Sequence, residues 1–169
     1  MFSKLSLIIL LVISPIWPLG ENPLIGDPYI IVNKTTNELA FLVDGKVSKV
    51  YQVATGKTDL NTPEGEFNIV IKAVNPYYRK KDIVGGAKEN PLGTRWIGFD
   101  ALETDGRIYG VHGTNDPFSV GNYLTGGCVR MLNEEVEQLF NKVPLGTKVF
   151  ITKTNLNFEK IGKEKGAIQ

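Results

Sequence analysis

Residues 29–53 read YIIVNKTTNELAFLVDGKVSKVYQV. Three runs rich in β-branched and aromatic residues, 29–32, 39–43 and 47–53, read as strands. Between the second and third, Asp44 and Gly45 make a two-residue hairpin signal, because both central positions of such a turn require positive φ. The same grammar continues outward. Residues 66–74 alternate Phe67, Ile69, Ile71 and Ala73 against Glu66, Asn68, Val70 and Lys72, the period of a half-buried strand. Strands are expected at 95–99 and 107–111, with Asp105 and Gly106 turning the chain between them, and a last one at 148–152. With 18 Gly and 9 Pro the chain is rich in turns, which favours many short strands over a helical bundle. One helix stands out: Asn133 is placed to cap it, Glu134 and Glu135 suit the positive end of its dipole, and Val136, Leu139, Phe140 and Val143 fall at i, i+3, i+4, i+7. Pro144 and Gly146 stop it. The fold class is mainly β, antiparallel, with one helix packed near the C-terminal end. Residues 154–169 read as a polar tail that frays.

The 169 residues carry 19 Lys and Arg against 18 Asp and Glu, a formal charge of +1, which supports neither nucleic acid nor an acidic surface as partner. Apolar residues make up 42% and charged residues 22%, values of a folded globular chain, and one domain is expected. A single Cys cannot form an internal disulfide framework, and one His with one Cys cannot supply four zinc ligands. No metal and no cofactor is expected, and the chain reads as a monomer. Residues 1–20 run from Lys4 through a largely apolar stretch to Pro15, Pro18 and Gly20, the order of a secretory signal. The apolar stretch is shorter than the ~20 residues of a spanning helix. Pro18 spoils cleavage after Gly20, so the segment reads as a signal peptide or an uncleaved N-terminal anchor, and the body as extracytoplasmic.

Export sharpens the reading of the lone thiol, because an unpaired Cys outside the cytoplasm is either buried and inert or a working nucleophile. GVHGT (110–114) ends an expected strand, and TGGCVR (125–130) places Cys128 sixteen residues after His112. Both lie where strands give way to glycine-rich loops, so a scaffold can hold them while they reach a cleft. A free thiol titrates near ~8.5, and a base within hydrogen-bond reach raises its nucleophilic fraction. Arg130, two residues on, would project to the same side of an extended segment and favour thiolate or bind a carboxylate. The amides of Gly127 and Cys128 are candidates for an oxyanion hole, and Gly126 and Gly127 let a substrate carbonyl approach the main chain. On spacing alone, a Cys–His acyl-transfer site and two structural residues are equally good readings.

The residues also carry a family resemblance. His112, Gly113 and Thr114, then Ser119 and Gly121, then TGGCVRM (125–131), resemble the signature of the L,D-transpeptidase catalytic domain, the YkuD-type fold of bacterial cell-wall enzymes. ATGK (54–57), TPEGEF (62–67) and NPLGTRWIG (90–98) resemble further blocks of that family in the same order. The resemblance spans Tyr29 to Thr152 and implies a catalytic domain at 28–153, built as a β-sandwich. It implies that Cys128 attacks the stem tetrapeptide of peptidoglycan before its terminal D-alanine. A diamino-acid side-chain amine on a second stem then resolves the acyl-enzyme. His112 would be the general base and acid, the Gly113 carbonyl its orienter, and Arg130 a positioning group; Thr125, Gly126 and Gly127 frame the thiol. Many members carry a second His two residues before the Cys, where this chain has Gly126.

Other motifs weigh less. VGGA (84–87) lacks the strand and helix of a phosphate loop. YYRKK (77–81) reads as a solvated loop or a rim touching wall polymer, and Trp96 as core. Two other classes compete: a sortase-like transpeptidase, disfavoured by the short His-to-Cys and Cys-to-Arg intervals, and a non-catalytic wall-binding module, disfavoured by the retained thiol.

Overall fold

The computed structural model describes residues 24–169, so the segment 1–20 lies outside the described residues. Ten strands and two α-helices follow in order: β1 Tyr29–Asn33, β2 Glu38–Val43, β3 Lys46–Gln52, β4 Thr55–Gly56, β5 Gly65–Val74, β6 Arg95–Phe99, β7 Tyr109–His112, β8 Tyr123–Thr125, β9 Val129–Arg130, α1 Asn133–Lys142, β10 Lys148–Thr152 and α2 Phe158–Glu164. Eight strands form one sheet in the order β3-β2-β1-β10-β5-β6-β7-β9, and β4 pairs with β8 apart from it. The hairpin signal is realised: Asp44 and Gly45 have φ of 55° and 69° between β2 and β3. Most pairs are antiparallel, as expected of the class, but β1 with β10, β7 with β9, and β4 with β8 run parallel.

The sheet curls so that both of its ends share one core. Ile30 and Val32 of β1, Leu39 and Phe41 of β2, Ile97 and Phe99 of β6, Val111 of β7 and Val129 of β9 belong to a single cluster. Helix α1 closes that cluster with Val136 and Leu139, packing on β6 and β7. Its N-terminus differs from expectation. Leu132 holds the cap position without a side-chain bond, and Asn133 is the first helical residue, its side chain directed elsewhere. Its C-terminus is satisfied by Lys72, whose Nζ donates to the carbonyls of Phe140 and Val143 at 2.6 and 2.7 Å. The strict alternation expected for 66–74 would have turned Lys72 away from the core side occupied by Ile69. A register shift between Ile69 and Ile71 resets the pleat and brings Lys72 to the helix.

Residues 154–169 do not fray. Asn157 accepts from the Lys160 N–H as cap of α2, and Phe158, Ile161 and Ala167 are buried with Tyr29, Ile31, Ala40 and Leu42 in a second cluster. β1 is buried along its whole length because its two faces serve different clusters. A continuous YIIV run is the signature of such a strand, and it requires a cover for the second face. Gly162 allows the close approach, since a Cβ there would come within 2.9 Å of Leu42 Cδ2. The missed signals were the Asn157 cap, the i, i+3 pair Phe158 and Ile161, and the stop at Gly166. Among the described residues, no helix is long and apolar enough to cross a membrane.

Ile161→Ala is expected to lower the free energy of unfolding by about 2–4 kcal/mol in urea titrations, the usual cost of emptying a buried aliphatic site. Lys160→Ala, on the exposed side of α2, should stay within about 0.5 kcal/mol of the parent.

Candidate active site

Strand β9 is only two residues long, yet it fixes the site. Its parallel register on β7 pairs Val111 with Val129 and His112 with Arg130. Val111 and Val129 point into the main core, so His112 and Arg130 point to the other face, and Cys128, two residues before Arg130, shares it. Further bonds hold this edge: the Met131 N–H donates to the His112 carbonyl at 2.8 Å, and Ala54 and Arg130 exchange backbone bonds at 2.8 and 2.9 Å. The structure therefore brings His112, Cys128 and Arg130 to one side of the sheet. Cys128 keeps part of its surface in solvent and is not sealed beneath aliphatic side chains.

His112 is 4% exposed, and its Nδ1 lies 2.6 Å from the Gly113 carbonyl. A carbonyl only accepts, so Nδ1 carries the proton and Nε2 is left with its lone pair. The imidazole also stacks on Trp96, with centroids 5.6 Å apart and planes 15° from parallel. Trp96 is buried, as expected of a core residue, but it lies in neither apolar cluster and stands directly opposite His112 in the β6–β7 ladder. Its Nε1 donates to the Gly106 carbonyl at 2.8 Å, and Gly110 leaves room for the ring, since a Cβ there would stand 2.8 Å from it. Alternation could have found this. Ile97 belongs to the core, so its neighbour Trp96 must face the side that His112 faces.

The TGGC turn is stapled by its own threonine. Thr125 Oγ1 accepts from the Gly127 N–H at 3.2 Å and donates to the Cys128 carbonyl at 2.6 Å. The Gly127 amide is thus engaged within the turn rather than aimed at a substrate, which revises the expected pair of oxyanion donors and leaves the Cys128 amide. Gly127 has φ 138°, and a Cβ would approach the Asn61 carbonyl to 2.5 Å, so only glycine fits. At Gly126 a Cβ would meet nothing within 4 Å.

Electrostatics at the site favour neutral partners. Burial pushes His112 from 6.5 down to about 4, and nearby Arg130 pushes the same way, while backbone bonds at Gly113 and Leu92 oppose it. Burial also pushes the Cys128 thiol up to about 11, against a backbone bond at Gly110 and the charges of Lys80 and Arg130. Arg130 thus acts in the expected direction on the thiol, but desolvation is the larger influence. The sulfur donates to the Ile108 carbonyl at 3.3 Å. Arg130 Nε is buried without a hydrogen-bond partner among the described residues, and burial lowers the guanidinium's own proton affinity. No group of three or more His, Cys, Asp or Glu side chains among the described residues could hold a metal ion.

A family model described as the L,D-transpeptidase catalytic domain (YkuD) matches residues 27–151. The chain belongs to the L,D-transpeptidase catalytic-domain family. It is 64% identical over 160 residues to the putative L,D-transpeptidase YqjB of Bacillus subtilis, covering 95% of this chain and 91% of that one. It is 35% identical to the putative L,D-transpeptidase YkuD of the same organism, covering 78% and 73%. Among solved structures, the catalytic domain of the E. faecium L,D-transpeptidase aligns with a TM-score of 0.59 at 24% identity, over 76% of this chain and 98% of that one. The Ldtfm-avibactam carbamoyl enzyme aligns with a TM-score of 0.62 at 24% identity, over 79% of this chain and about half (51%) of that one. At these identities the solved structures establish a shared fold. The sequence blocks that carried the resemblance border one another in space: Ala54 pairs with Arg130, the Gly56 N–H donates to Thr62 Oγ1 at 2.9 Å, and Leu92 and Trp96 border His112.

Two measurements follow. Because folding holds His112 neutral while the unfolded chain protonates it near 6.5, its stabilisation is present above about pH 6.5 and lost as pH falls through about 4. Between pH 7 and 4.5 the parent should lose about 2–3 kcal/mol more than His112→Gln in urea unfolding. Alkylation of Cys128 by iodoacetamide should accelerate about tenfold per pH unit from 7 to 10 with no plateau; a plateau below pH 8 would mean a preformed thiolate.

Proposed function

We propose that this family member is a cysteine L,D-transpeptidase of peptidoglycan, acting outside the cytoplasm and directed there by residues 1–20. The observation that carries the proposal is the β7–β9 register, which turns the only imidazole and the only thiol of the chain to the same face of the sheet. The donor is the stem tetrapeptide. As the Cys128 sulfur attacks the carbonyl carbon before the terminal D-alanine, Nε2 of His112 takes the thiol proton. The Cys128 amide faces the developing oxyanion. The tetrahedral intermediate collapses when His112 returns that proton to the amide nitrogen. The C–N bond breaks, D-alanine leaves, and a thioester remains. The side-chain amine of a diamino acid on a second stem then attacks the thioester; His112 takes the amine proton and passes it to the departing sulfur, completing a 3-3 cross-link.

The neutral resting pair gives this cycle its character. With imidazole near 4 and thiol near 11, proton transfer belongs to the attack itself rather than preceding it. A bound substrate that displaces the thiol from the Ile108 carbonyl turns the S–H toward the base. Arg130, with an unpartnered Nε, holds the donor's carboxylate or the loop beside it. Because solvent reaches Cys128, water also resolves part of the acyl-enzyme, giving L,D-carboxypeptidase activity from the same intermediate.

Intact-mass spectrometry after incubation with a tetrapeptide stem or a carbapenem should show a covalent adduct on the parent protein that maps to Cys128. Cys128→Ala should form none, and His112→Ala should acylate at least ~100-fold more slowly, the range of a general base. Tight glycan binding without any adduct on the parent would instead make the domain a wall-binding module.

A further inference from the structure

The peptide group joining Gly113 to Thr114 is gripped at both ends. Its carbonyl lies 2.6 Å from His112 Nδ1 and accepts the ring proton, and its N–H donates to Asn133 Oδ1 at 3.0 Å. The same Oδ1 accepts from the Thr94 N–H at 3.2 Å, and Asn133 Nδ2 donates to the Thr114 carbonyl at 2.8 Å. Two backbone donors on one side and a carbonyl on the other permit only one orientation of the amide. The side chain could not occupy this place beside larger residues: a Cβ at Gly93 or at Gly113 would stand 2.1 Å from its Oδ1. Asn133 has forgone the cap position, taken by Leu132, and sits half-buried between the start of β6 and the end of β7.

We propose that Asn133 is a positioning residue for the His112 base, acting through the Gly113–Thr114 peptide as the last member of a relay from imidazole to peptide group to side-chain amide. The proposal rests on the reading of His112 as the general base. Two physical effects carry it. Hydrogen bonds in series polarise one another, so engaging the Thr114 N–H makes the Gly113 carbonyl a stronger acceptor for the ring proton. Pinning that peptide plane also fixes where the carbonyl points, which holds the ring in the tautomer that leaves Nε2 free. An amide in this place adds no formal charge, and it therefore orients the ring without pulling it toward imidazolium in a buried site.

His112 is the only histidine, so 15N-histidine labelling of the full chain reports on it alone. The resting parent should show a protonated Nδ1 and an unprotonated Nε2. In Asn133→Ala the two nitrogen signals should move toward each other as tautomers mix, and kcat on a tetrapeptide stem should fall at least ~10-fold with KM within about twofold, as expected when only the orientation of the base is lost. Asn133→Asp keeps the Oδ1 acceptor, and should retain the parent tautomer and shift the acid limb of the kcat profile to higher pH as its carboxylate polarises the peptide. If Asn133→Ala does not fold, this second variant decides the question. An unchanged histidine spectrum in Asn133→Ala, or a parent-like pH profile in Asn133→Asp, would overturn the relay. The spectrum needs no substrate, so a parent protein with the expected tautomer but no stem turnover would count against the proposed activity and leave the relay standing.

Discussion

Two residues of parallel strand, Val129 and Arg130 beside Val111 and His112, are the constraint on which the site depends. A pleated strand sends successive side chains to opposite faces, so anchoring Val111 and Val129 in the core commits their neighbours to the other side. A slip of one residue would put Cys128 under the aliphatic cluster and Val129 in the cleft. The short strand is protected against such a slip from both sides, by the backbone exchange between Ala54 and Arg130 and by the Met131 bond to the His112 carbonyl. The Thr125 staple and the glycine-only conformation at Gly127 then set the approach of the chain to the thiol.

Around this edge the protein sets burial against reactivity. Stacking on Trp96 and the bond to the Gly113 carbonyl fix the ring and its tautomer, but burial disfavours both imidazolium and thiolate. Arg130 and Lys80 oppose that on the sulfur without reversing it. The result is a neutral imidazole and a protonated thiol in the resting protein. The group bonded to the imidazole Nδ1 is uncharged, the backbone carbonyl of Gly113.

Much of the fold was legible because it depends on local rules. The Asp44 and Gly45 turn, strand 95–99, and the helix with Val136, Leu139 and Val143 inward follow from φ preferences and periodicity. The errors share a cause: each involves a partner distant in sequence. Lys72 looked solvent-facing until a bulge in β5 turned it to the carbonyls of Phe140 and Val143. The tail looked too polar to order until the outer face of β1 and β2 needed Phe158 and Ile161. Asn133 looked like a helix cap because its local sequence fits one, and the burial expected of Trp96 gave no hint of its ring partner His112.

By itself the sequence determined the β class, the hairpin, the main helix, the family and the short list of residues able to do nucleophilic chemistry, since these rest on residue type and near-neighbour spacing. Only the tertiary structure decided that His112 and Cys128 share a face, that the Gly127 amide is held inside its turn, and that Asn133 and Trp96 attend the imidazole. Those outcomes depend on strand register and on desolvation, and both are set by contacts between segments that lie far apart in the chain.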